Sequence, residues 1–180
     1  MTWMIRALAG LAALVATLAL ASFALPHRIE ASRSIVINAQ ADQIFPHLDS
    51  HLAVSEWSPW IDRNPDARIR FEGPTSGVGA RMSWISDDPN LGDGAQVITS
   101  ITDNQWVARS VEYGDWDLAT ASFLLESEGG GTRVTWSFST DAGFNPVSRW
   151  IGLVVDDWVA AELDLGLARL KRMVETGSPD

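Results

Sequence analysis

Six strand-length segments followed by one long helical pattern constrain this chain more tightly than any single motif. Apolar and polar residues alternate through 68–72, and strand candidates follow in close succession at 80–86, 95–102, 106–113, 118–126 and 132–141. The breaks carry turn chemistry: 87–94, Asp103 with Asn104, Gly114 with Asp115, and Gly129, Gly130 and Gly131. Spacing this regular predicts an antiparallel meander. From Asn145 the period changes. Pro146 suits a first helical turn, and apolar residues recur at Val147, Trp150, Ile151, Val154, Val155, Trp158, Val159, Leu163, Leu167 and Leu170. The helix is expected to stop near Val174, before Thr176, Gly177, Ser178 and Pro179.

Ahead of the meander, 29–38 is rich in β-branched residues and reads as a further strand. Residues 39–45 look helical, but Pro46 breaks a helix interior, so two short helices are expected, the second near 49–55. The order is strand, two short helices, six strands, long helix. A seven-stranded antiparallel sheet can bury one long amphipathic helix by curving around it, and such a pairing commonly leaves a cavity. The fold class is α+β.

The segment Ala7 to Leu25 contains no charged residue. At about 1.5 Å per residue it reaches about 28 Å, enough to cross a hydrocarbon core of roughly 30 Å. Residues 1–27 are therefore expected to form a membrane anchor, residues 28–176 a ligand-binding domain, and 177–180 a tail. The alternative is a secretory signal, cleaved at Ala19, Leu20, Ala21 or at Ser22, Phe23, Ala24. Arg6 and the terminal amine favour an inside amino terminus with the domain outside the cytoplasm, while Arg28 and Arg33 weigh the other way.

Of 13 basic residues only Arg6 precedes residue 28, and none of the 23 acidic residues does, so the remainder carries a net charge of -11. A domain this acidic repels phosphate backbones, and nucleic acid is not an expected partner. The absence of cysteine excludes disulfides and thiolate chemistry. No phosphate-cradling motif is present, because Gly77, Val78, Gly79 is short and precedes a strand. No cofactor is expected.

The tryptophans carry most of the functional signal. Trp57, Ser58, Pro59 and Trp60 set two indoles on one stiff turn, each able to bury on the order of 150–250 Å². They are expected at the rim of the cavity. Met82 and Trp84 share one strand face, Trp136 lies on another strand, and Trp150 sits in the helical stripe. These six residues, Trp57, Trp60, Met82, Trp84, Trp136 and Trp150, form the candidate ligand-binding set.

On 106–113, Arg109 shares a face with Val107, Val111 and Tyr113. If that face is inward, the guanidinium can anchor a carboxylate or polarise a carbonyl, with the phenol as proton donor. Trp106, Ala108 and Ser110 are the competing inward set, which would leave Arg109 in solvent. His47 and His51 stand four apart, a metal-ligand spacing on one helix, but Pro46 spoils that geometry and a surface position is expected for the pair. Asp156 and Asp157 interrupt the long helix and read as its polar face.

The order of elements, Ser34 to Ala39, the Trp57–Trp60 turn, Gly73 and Pro74 with Gly77 to Ala80, and the closing Gly166 to Lys171 together resemble the polyketide cyclase/dehydrase-like branch of the START-like, or SRPBCC, superfamily. The resemblance covers nearly the whole chain. It implies a helix-grip fold and an apolar small molecule or lipid as partner; many members also look similar in carrying an amino-terminal membrane helix. The chain is read as a membrane-tethered binder. A cyclase/dehydrase-type enzyme using Arg109, Tyr113 and a histidine, and an adaptor presenting an acidic surface, are the alternatives.

Overall fold

The computed structural model describes residues 2–63, 65–87, 92–113 and 118–178, without the side chains of 2, 63, 151 and 154–157. The turn expected at Gly114 with Asp115 and the side chains of Asp156 and Asp157 lie outside this description. Helix α1 (Thr2–Ser22) precedes strand β1 (Arg28–Ile37), followed by α2 (Ala41–Ile44), a 3-10 turn (Phe45–His47), α3 (His51–Ser55) and α4 (Pro59–Arg63). Strands β2 (Arg68–Glu72), β3 (Arg81–Ile85), β4 (Gly94–Thr102), β5 (Trp106–Tyr113), β6 (Ala119–Glu128) and β7 (Gly131–Asp141) lead to α5 (Pro146–Thr176).

All seven strands form one antiparallel sheet in the order β1-β7-β6-β5-β4-β3-β2. The expected architecture is the observed one, with one addition. Pro59 does not merely fix a turn; it starts α4, where its missing N–H is harmless and its fixed φ suits a first helical turn. Pro46 acts as expected, sitting in the 3-10 turn that separates α2 from α3.

Cross-strand partners point to the same side, so register defines the inner face. It carries Val134, Trp136 and Phe138 of β7, Ala121, Phe123 and Leu125 of β6, and Val107, Arg109 and Val111 of β5. Two apolar clusters lie on this face. The first joins Ile37, Leu48, Trp57, Phe123, Val134, Leu167 and Leu170 beneath the carboxy-terminal half of α5. The second joins Met82, Trp84, Val111, Ala119 and Ala121, with Trp60, Ile69, Tyr113 and Phe138 against them.

Helix α5 lies close on the sheet because Gly166 is bare: a Cβ there would stand 2.6 Å from the Trp136 ring and 3.2 Å from Pro59. Asn145 caps its first turn, its Oδ1 accepting from Val147 N at 2.9 Å and Ser148 N at 3.3 Å. Gly177, at φ +82°, ends it in the left-handed conformation that favours glycine. Asp62 of α4 pairs with Arg169 of α5.

Helix α1 is long and apolar enough to cross a membrane from Trp3 to Ser22, and of that stretch only Ser22, at its end, is buried. Its end is fastened to the start of α5. Arg149, itself buried, donates from Nε and Nη2 to Gly143 O at 2.9 and 2.8 Å, and from Nη1 to Ser22 O and Leu25 O at 3.5 Å. Its guanidinium also lies 5.1 Å from the Phe23 ring centroid.

Candidate functional site

Arg109 faces inward with Val107 and Val111, which resolves the sequence ambiguity in favour of the face it shares with Tyr113. Ala108 on the opposite face is buried as well, and both faces of β5 carry apolar residues, so alternation alone had no power to choose. Arg109 sits where the two clusters meet, since Val107 belongs to the first and Val111 to the second. A β-bulge in β4 falls directly opposite, between Ile98, which pairs with Arg109, and Ser100, which pairs with Ala108. Bulges of this kind re-aim side chains beside functional sites.

Arg109 is 3 % exposed. Its Nη2 donates to Leu48 O at 2.7 Å, and its carbon lies 5.2 Å from the Phe123 ring centroid. Its Nε–H is buried and has no partner, and it forms no ion pair among the described residues. Burial lowers its pKa to about 10, with Asp49 opposing, so it is a cation at neutral pH. Burial in turn holds the Asp49 carboxyl above its ordinary value, reinforced by Asp103 and opposed by its own backbone hydrogen bond and by Arg109.

His51 lies in the same region, and this is a correction. Rather than decorating a surface helix with His47, it is buried on α3, and its Nε2 donates to Ala80 O at 3.2 Å. His47 belongs to the separate 3-10 turn, so the two imidazoles do not share a helix. The glycine loop holds α3 in position: Gly77 N donates to Asp49 O at 2.8 Å, Ser50 Oγ to Thr75 O at 2.8 Å, and Gly79 N to Ile98 O at 2.9 Å. Gly77 to Ala80 thus connects the α3 end of the site to β4.

Burial and then the Arg109 charge lower the His51 pKa to about 3 against an ordinary 6.5. An unfolded chain takes up a proton here below pH 6.5 while the folded chain does not. The neutral imidazole's contribution is therefore complete above that pH and is lost as pH falls toward 3, by up to about 1.4 kcal/mol per pH unit. His51→Gln is expected to flatten the dependence of melting temperature on pH between 6 and 4. An unchanged slope would show that His51 is accessible to protons in the folded state.

The candidate ligand residues fall into three groups. Trp60, Met82 and Trp84 are brought together in the second cluster, where Trp84 meets Trp60 edge-on at 4.9 Å and Tyr113 at 5.5 Å. The Trp84 indole N–H is buried without a partner. Burial pushes the pKa of the neighbouring Tyr113 phenol up to about 12.

Trp57 and Trp136 instead belong to the first cluster. Trp57 is a core residue and not a rim residue: it is 1 % exposed, and its indole donates to His47 O at 3.1 Å. Trp150 is the third case. Its indole donates to Leu18 O of α1 at 3.2 Å, so it belongs to the junction between α1 and α5 and to neither cluster on the sheet.

The packing of the aromatic cluster around Trp84 depends on Gly94, its neighbour on β4. A Cβ at Gly94 would lie 2.1 Å from the Trp84 ring and 2.4 Å from Glu112 O. Gly94→Ala is expected to destabilise the domain by about 1–3 kcal/mol and to displace Trp84, read as a change in near-ultraviolet circular dichroism. A separate surface recess of about 530 Å³ is lined by Gln43, His47, Glu56, Met173, Val174 and Gly177. It contains neither Arg109 nor the aromatic cluster.

A family model described as "Polyketide cyclase / dehydrase and lipid transport" matches residues 28–175. No curated protein matches the sequence. Among solved structures, the fold is similar to TTHA0849 from Thermus thermophilus, with TM-score 0.62, 14 % identity and coverage of 83 % of this chain and 99 % of that one. It is also similar to the Aha1 dimer from Colwellia psychrerythraea, with TM-score 0.57, 18 % identity and coverage of 83 % and 98 %. A third is the di-domain ARO/CYC StfQ from the steffimycin biosynthetic pathway, with TM-score 0.56 and 11 % identity. There 82 % of this chain is covered and 50 % of StfQ. At these identities the structures establish the helix-grip fold alone.

Proposed function

The chain belongs to the polyketide cyclase / dehydrase and lipid transport family over residues 28–175, and from that premise we propose that it holds an apolar small molecule or lipid between the sheet and α5. The ligand carries a terminal carboxylate or carbonyl that turns toward Arg109, and α1 tethers the domain to the membrane in which such ligands partition.

The observation that carries this reading is the unpartnered Nε–H of a buried guanidinium. A buried cation with one hydrogen bond and a ring contact is poorly compensated, and an apolar side chain of similar volume would serve stability as well or better. A ligand oxygen supplies the missing acceptor. Further along the same sheet face, Trp84, Trp60 and Tyr113 offer an apolar aromatic surface for the rest of the ligand, and the buried Trp84 N–H there has no protein acceptor.

Binding is favoured over catalysis by the titration of the same groups. His51 near 3, Tyr113 near 12 and Arg109 near 10 all lie far from neutrality, whereas proton transfer works best from a group tuned near the working pH. Both side chains are also engaged elsewhere, Arg109 with Leu48 O and Tyr113 against the Trp84 ring.

The test is calorimetric titration of the full chain with decanoate and, separately, decanol. Saturable binding at one equivalent, with decanoate at least about tenfold tighter, a difference of about 1.4 kcal/mol, is the expected result. Equal affinity for the two would remove Arg109 from the site, and no saturable binding of either would overturn the proposal.

A further inference from the structure

The membrane end of the domain can be located from one hydrogen bond. Trp150 donates to Leu18 O, and Leu18 lies four residues inside the end of the apolar stretch Trp3 to Ser22. At about 1.5 Å per residue, the indole is fixed about 6 Å inside that end. Any bilayer that surrounds α1 must therefore extend to the first turns of α5. The Arg149 bonds to Gly143, Ser22 and Leu25 make the two helix ends one unit, and Ala142 N donates to His27 O at 2.7 Å across the same junction.

The surface around Trp150 suits that position. Phe144 is 85 % exposed in the turn before α5, and Val147 and Leu153 are 63 % and 51 % exposed. Val147, Trp150 and Leu153 recur every third residue, which keeps them within an arc of about 120° on the helix. Phe and Trp side chains are characteristic of bilayer interfaces. Further along α5 the exposed surface includes the Asp164 carboxylate, paired with Arg33 of β1 at 3.1 Å.

Register shows which end of the sheet this is. Ile29 pairs with Thr140, Thr120 with Ser139, Val111 with Ala119, Gly94 with Tyr113, and Trp84 with both Gly94 and Ile69. A Cβ at Gly152 of α5 would fall 2.9 Å from Ile29, so the start of α5 packs at that end. The Trp84 and Tyr113 cluster is therefore at the α1 end of the domain. The recess lined by Met173 and Gly177 is at the other.

We propose that Phe144, Val147, Trp150 and Leu153 form a second membrane contact, seated in the bilayer interface beside α1, so that the end of the sheet carrying the Trp84 cluster faces the lipid. This rests on the reading of α1 as a retained membrane span. The chain has no cysteine, so single substitutions can be spin-labelled without ambiguity. The full chain is reconstituted into vesicles of mixed phosphatidylcholine and phosphatidylglycerol as Phe144→Cys, Val147→Cys or Leu153→Cys, with Val15→Cys in α1 and Val78→Cys in the glycine loop as references. Each variant is first required to melt as the wild type does.

Labels at 144, 147 and 153 are expected to collide more with oxygen than with a water-soluble nickel chelate, as at 15, while the label at 78 shows the reverse. If 15 reports lipid but 144, 147 and 153 behave like 78, the second contact is overturned and the tether stands; the exposed face then suits a protein partner. If 15 itself reports water, the tether fails and the contact falls with it.

Discussion

Trp57→Ala is expected to destabilise the domain by about 3–5 kcal/mol, the range for truncating a large enclosed aromatic. Its indole meets Phe123 edge-on at 5.9 Å and Trp136 at 5.4 Å. Truncation would leave a hole between the sheet and α5, and Trp136, which leans on Gly166, would lose its support. The same change leaves His47 O without its indole donor, costing about 1–3 kcal/mol if that carbonyl stays dry. Trp57→Phe separates the two effects, since it restores much of the volume but not the donor. Urea denaturation measures both. A loss below about 1 kcal/mol for Trp57→Ala would mean that the first cluster collapses around the gap and that Trp57 does not organise it.

Arg109→Met is expected to divide stability from binding. The substitution removes a poorly compensated buried cation and keeps an unbranched side chain against Phe123, at the expense of the Leu48 O hydrogen bond. These terms oppose each other, and the net change in stability should stay within about 1.5 kcal/mol. Binding should change far more: affinity for decanoate is expected to fall at least about tenfold, while affinity for decanol is retained. If Arg109 is instead a structural clamp on the chain at Leu48, its loss should destabilise by about 2–3 kcal/mol, the upper range for a lost hydrogen bond to a charged group. Thermal melts with and without decanoate distinguish the two outcomes.

The sheet was legible because its strands alternate and its turns carry Gly, Asn and Asp; β2 and β5 have the expected bounds, and the other strands differ only at their ends. The long helix was legible through its period and its closing glycine. Residues 59–63 were not, because a five-residue helix holds too few positions for periodicity to register. The same shortness hid the burial of His51, whose inward face is decided by Ala80 and the glycine loop and not by α3 itself. Arg109 required register, because apolar residues occupy both faces of β5. Trp150 fits an apolar stripe equally well whether it packs on a sheet or on another helix, and its partner, Leu18, lies 132 residues away.

The most direct measurement is solvent extraction and mass spectrometry of the full chain purified from its expression host in mild detergent, beside Arg109→Met prepared identically. A near-stoichiometric apolar compound bearing a carboxylate or carbonyl, present in the wild type and depleted in the variant, is the predicted result. Recovery of only bulk membrane lipids, in equal amounts from both, would contradict it.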